Sequence, residues 1–148
     1  ARAILHEPAV SAEGVGMGAA PVLLDMIAAG KVSRALRLFL GALGDLDPEA
    51  PGTTEAEVKH ALRNGRCFMA NEYGTNMTYA PDWERARASK AVLAVFLGEL
   101  SVDTPREAGT RAAAEYLDCP LVTIPGAHNG LRDRPVTAAN AVRDVLER

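Results

Sequence analysis

Serine is scarce in this chain, and none of it stands where a nucleophilic serine would. The four serines, Ser11, Ser33, Ser89 and Ser101, all lie outside any G-x-S-x-G segment, the tight strand-to-helix corner that exposes a reactive hydroxyl. Cysteine is sparser still. Cys67 and Cys119 stand far apart and match no C-x-x-C spacing, which argues against a thiolate metal or redox motif and makes reduced, buried thiols the expectation. The three histidines, His6, His60 and His128, are too dispersed for a zinc cluster. The longest unbroken apolar run, Ala91 to Leu97, falls far short of the roughly 18 residues that mark a membrane span, and no charged-then-apolar leader opens the chain. A net charge of −3, with Lys and Arg scattered, leaves no electrostatic footprint for nucleic acid. The expectation is a soluble, cytoplasmic protein whose partner is a small molecule, not a polyanion or a membrane, with no cofactor and no metal.

What remains is 148 residues of ordinary globular composition, the length of one domain. The chain opens directly on an apolar stretch, Arg2 to Leu5, without a methionine, as a fragment or processed subunit would. That stretch reads as a strand ending in a turn, because Pro8 disfavours helix just before it. Residues 11–18 are glycine-rich, and GVGMG at 14–18 reads as a flexible turn, since it opens no dinucleotide-type strand and helix. Two short helices joined by Gly30 follow, the second with Val32, Leu36, Phe39, Leu40 and Leu43 on one face. Thr54 and Glu57 form a capping box that opens a helix to about Arg63. Between 65 and 90 the breakers Asn71, Gly74, Asn76 and Pro81 interrupt any long period. The same stretch holds Phe68, Met69, Tyr73, Met77, Tyr79 and Trp83, a composition that suits small helices capping a pocket as well as an ordinary satellite core.

The last third is more regular. Residues 91–97 are continuously apolar, as a parallel strand covered on both faces requires. Thr104, Pro105 and Glu107 supply a cap, a first-turn proline and a capping-box acid, so a helix should run from about Pro105 to Leu117. A short strand PLVTI, a loop from Pro125 to Arg134 and an amphipathic closing helix carrying Ala138, Ala141, Val142 and Val145 complete a β-α-β-α unit, whose parallel crossover should be right-handed. The division expected is a core strand and turn at 1–10, a helical cap or lid at 11–90 and a C-terminal core at 91–148. His60 is expected on the surface.

Ligands of open parallel sheets collect outside the carboxyl ends of the strands. Glu7, Glu99, Ser101, Asp103 and His128 all fall in loops at those ends, and strands roughly 4.8 Å apart bring such loops within hydrogen-bonding reach. An imidazole held by a carboxylate is the base half of a nucleophilic triad, although a turn histidine alone has many non-catalytic uses. The segments GELSVDTP at 98–105 and IPGAHNG at 124–130, with the opening ARAILHEP and the helical stretch at 11–90, resemble the second half of an α/β-hydrolase, cap included. The resemblance spans the chain and implies a partial α/β-hydrolase fold: a short parallel sheet of about three strands, flanking helices and a helical cap.

By that resemblance His128 is the catalytic histidine. The acid is either Asp103, near the position the family often uses, where this chain has Ser101 instead, or Glu7, at the end of the preceding strand, with Glu99 third. Asp103 has an equally good structural role as a helix cap, and Glu7 as a solvated acid. The resemblance further implies hydrolysis of a small ester-like substrate by a serine that a companion chain or N-terminal half supplies. Self-association through the exposed edge of the first strand is the other way to cover that edge. Lactonase, dehalogenase and cofactor-free peroxidase chemistry share such scaffolds. The alternative is a non-catalytic, hydrolase-like domain that binds a small apolar ligand or a partner.

Overall fold

The computed structural model describes residues 2–8, 20–42, 55–79 and 81–147. In chain order its elements are strand β1 (Ala3–His6), helices α1 (Ala20–Ala28), α2 (Val32–Ala42), α3 (Glu55–Asn71), α4 (Tyr73–Thr78) and α5 (Trp83–Ser89), strand β2 (Val92–Gly98), helix α6 (Pro105–Leu117), strand β3 (Leu121–Ile124), and helices α7 (Gly130–Asp133) and α8 (Pro135–Leu146). They fall into two compact units.

The first unit is helical and contains α1 to α4. Gly30 ends α1 at φ +72°, with its N–H on the Ile27 carbonyl and the Lys31 N–H on the Met26 carbonyl. That pair of bonds is the Schellman motif, which glycine forms without a Cβ penalty. Leu23, Ala35, Leu36, Met69 and Tyr73 are buried together, with Phe39, Phe68 and Met77 packed around them. Phe39, Phe68 and Tyr73 meet as a trio, with Tyr73 edge-on to both phenylalanines at 5.5 and 6.0 Å; burial pushes the Tyr73 phenol up from its ordinary pKa. The third helix runs to Asn71, past the expected end near Arg63 and straight through Gly65. A Cβ on Gly65 would come 2.8 Å from Leu36 Cδ1, so the glycine that weakens the helical signal stands where α3 faces the end of the Leu36 side chain on α2. The expected cap at Thr54 and the glycine-dense segment 14–18 lie outside the described residues.

The second unit contains β1, β2 and β3 in a parallel sheet of that order, with α5 to α8. The helix Trp83–Ser89, expected in the cap, belongs here: Trp83 and Ala86 pack with Val95, Ala114 and Leu117 on one face of the sheet. The other face carries Ala94, Phe96 and Ile124 against Val145, Ala141 and Val142 of α8. Because β2 is central and covered on both sides, residues Ala94 to Leu97 are all buried, and the uninterrupted apolar run has its physical reason. Among the described residues β1 pairs with β2 alone, which leaves its outer edge unpaired.

Thr104 caps α6 by accepting the Arg106 N–H, and Pro105 occupies the first turn. The Glu107 carboxylate reaches back to the Asp103 N–H at 2.8 Å, one residue earlier than a capping box would take it. The stretch read as a loop between Pro125 and Arg134 contains the single turn α7. Cys119 is partly buried, but Cys67 is exposed on α3, contrary to the expectation of burial: the interrupted period hid which face of that helix turns outward. His60 is exposed and bonds Asn64 one turn on. No helix among the described residues is long and apolar enough to cross a membrane.

Candidate active site

Three loops meet at the carboxyl ends of the three strands. The first strand delivers His6 and then Glu7. The Glu7 N–H donates to the Phe96 carbonyl at 3.0 Å, prolonging the ladder beyond the strand, while a φ of +40° turns the chain at Glu7. A positive φ is uncommon outside glycine, so the turn is held by what the side chain does. Glu7 Oε1 accepts the Gly98 N–H at 2.8 Å, its Oε2 stands 3.0 Å from His128 Nδ1, and Ser101 bonds the same carboxylate.

Gly98 and Gly126 let the loops approach. A Cβ on Gly98 would lie 2.6 Å from the Gly126 carbonyl oxygen and 3.0 Å from the Ala127 carbonyl carbon, closer than any real side chain sits. The Leu100 N–H donates to that Gly126 oxygen at 3.0 Å, tying the loop after β2 to the loop after β3. Gly126 itself has φ +97°, a conformation that glycine adopts freely. The two loops thereby bring Ser101 and His128 to the same carboxylate.

Glu7 is 2% exposed. Burial by itself pushes a carboxylic acid up, since the charged form loses its water. Here the bonds from His128, Ser101 and the Gly98 N–H, with the neighbouring His6, outweigh it and hold Glu7 at about 2, well below 4.5. The group is therefore a carboxylate at neutral pH and only accepts hydrogen bonds. A proton on Nδ1 of His128 serves it as a donor and leaves the acceptor lone pair on Nε2; that is one of the two tautomers the ring can adopt. The His128 side chain keeps 31% of its exposure, so the ring remains reachable.

Two further groups frame the imidazole. His6 stacks on it with ring centroids 6.0 Å apart and planes 23° off parallel. Burial lowers the His6 pKa, the Glu7 charge opposes that, and His128 and Arg106 add to the lowering. Arg106, in the first turn of α6, places Nη1 3.1 Å from His128 Nδ1.

Of the acids considered from the sequence, Glu7 is the one bonded to the ring. Asp103 is exposed at φ +61°, its N–H held by Glu107. Glu99 is exposed, and its Oε1 accepts the Gly126 N–H at 3.4 Å. Ser101, at the position where the resemblance leads one to look for an aspartate, is buried and serves Glu7. Sequence reasoning missed His6 and Arg106. His6 had one signal, its place next to Glu7 at a strand end; Arg106, 22 residues from His128, had none, because an arginine in a first helical turn reads as solvated. Among the described residues no three His, Cys, Asp or Glu side chains gather to hold a metal ion.

Comparison with protein-family models, curated proteins and solved structures yields no match.

Proposed function

We propose that this chain supplies the base and acid of a hydrolase of the α/β-hydrolase type, acting on a small ester-like substrate through a serine that another stretch of polypeptide contributes. The observation that carries the reading is the 3.0 Å contact between Glu7 Oε2 and His128 Nδ1 at the carboxyl ends of a parallel sheet. In this reading Nε2 takes the proton of the incoming hydroxyl as its oxygen attacks the acyl carbon, and Glu7 stabilises the imidazolium that forms. The same proton then goes to the departing alcohol, and water repeats the sequence on the acyl-enzyme. Glu7 is the orienting acid in preference to Asp103, because it already bonds the ring.

The test is to express the chain together with the polypeptide encoded immediately upstream and to treat it with a serine-reactive phosphonate. Covalent labelling of the upstream segment that is lost in His128→Ala supports the reading. Absence of labelling, or labelling indifferent to His128, favours the alternative of a hydrolase-like domain that only binds. The Arg106 guanidinium 3.1 Å from Nδ1 and the serine at position 101 favour that alternative.

A further inference from the structure

His128 Nδ1 has two neighbours that make opposite demands. Glu7 Oε2 at 3.0 Å is an acceptor and requires a proton on Nδ1. Arg106 Nη1 at 3.1 Å is a donor and requires a lone pair there, since a guanidinium carries no acceptor and does not deprotonate in proteins. A ring nitrogen has one in-plane position, so it satisfies one neighbour or the other, never both. Glu7 is buried, and Arg106 is partly buried in the first turn of α6, whose backbone start is fixed by the Thr104 cap and Pro105.

We propose that Arg106 is a positioning residue that gates the tautomer of His128. This rests on the hydrolase reading only for its meaning, not for its test. With Nδ1–H donating to Glu7, the lone pair is on Nε2 and the ring is ready to act as a base. With Arg106 donating to Nδ1, the proton sits on Nε2 and the ring offers no lone pair to a hydroxyl. Passing between the two states moves one proton off Nδ1 and puts one on Nε2, through water, with no change in net charge and Glu7 a carboxylate throughout. Catalysis then requires the guanidinium to withdraw from Nδ1, which places control of the base on the first turn of α6.

The test reads the tautomer directly. The chain is labelled with ¹⁵N-histidine, and the two ring nitrogens of His128, assigned by their loss in His128→Gln, are followed by long-range ¹H–¹⁵N correlation at neutral pH without substrate. The wild-type ring should show a detectable share of the Nε2–H form. Arg106→Met should reduce the ratio of that form to the Nδ1–H form by at least about five-fold, the change equivalent to one net hydrogen bond. If Arg106→Met does not fold, as judged from its backbone amide spectrum, Arg106→Ala serves in its place, with a change in the same direction because it too removes the donor. A ratio that is the same in the wild type and in the folded variant overturns the gate. A protein that shows the tautomer change yet never labels with a phosphonate loses the hydrolase reading and keeps this one.

Discussion

The backbone N–H of Gly98 donates to Glu7 Oε1 at 2.8 Å, so the last residue of the central strand holds the acid that the neighbouring strand delivers. That one bond makes the geometry of β2 part of the chemistry of the histidine, and it supplies the first prediction.

Gly98→Ala pushes a Cβ into backbone atoms on the facing loop, which cannot rotate away. Urea denaturation should show a loss of about 1–3 kcal/mol, the range for overpacking a close contact. Gly65→Ala meets only the end of the Leu36 side chain and gains up to about 1 kcal/mol of helix propensity, so it should stay within about 1 kcal/mol of wild type. Equal losses for the two variants would contradict the loop packing described above.

Glu7 also sets an acid limit on stability. Its folded pKa, about 2, lies below the ordinary 4.5, so the unfolded chain binds this proton first as pH falls. The stabilisation is complete above 4.5 and disappears as pH drops toward 2. A depression of that size is worth on the order of 3 kcal/mol. Glu7→Gln should be less stable at neutral pH and should have a flatter stability profile below pH 4.5. A parallel acid profile in the variant would mean that the carboxylate is not held as described.

His6 produces a second, higher window. Its folded pKa is lowered from 6.5, chiefly by burial, so the unfolded state takes up its proton first. Stability is unaffected above 6.5 and falls as pH drops from there toward the folded value. His6→Gln should remove that component, read as a smaller loss of Tm between pH 7 and pH 5.5. An unchanged slope would show that His6 is solvated.

In a preparation that labels with the phosphonate, substitutions should separate the two acids. Glu7→Gln should lower kcat by roughly 10³-fold or more, as loss of an orienting carboxylate does. His128→Ala should lower it further, on the order of 10⁶-fold, because the base itself is lost. Asp103→Asn should leave kcat within about two-fold of wild type, because the Asp103 bond to Glu107 runs through its backbone N–H. A large effect of Asp103→Asn with little effect of Glu7→Gln would reverse the assignment.

The sequence alone determined those features that arise from contiguous residues. The apolar run before Gly98 demanded a doubly covered strand, Thr104 and Pro105 started a helix where it does start, and Gly30 stopped one, because capping and strand burial are written in neighbouring side chains. Helix α3 escaped, since Gly65 lowers local propensity and only the approach of Leu36 explains it. The choice among Glu7, Glu99 and Asp103 also lay beyond the sequence, as did Arg106 and the burial of Ser101. Which carboxylate meets His128, 121 residues from Glu7 along the chain, depends on strand order and on two glycines that let separate loops touch. Local spacing carries no record of such contacts; they exist only once the strands lie side by side.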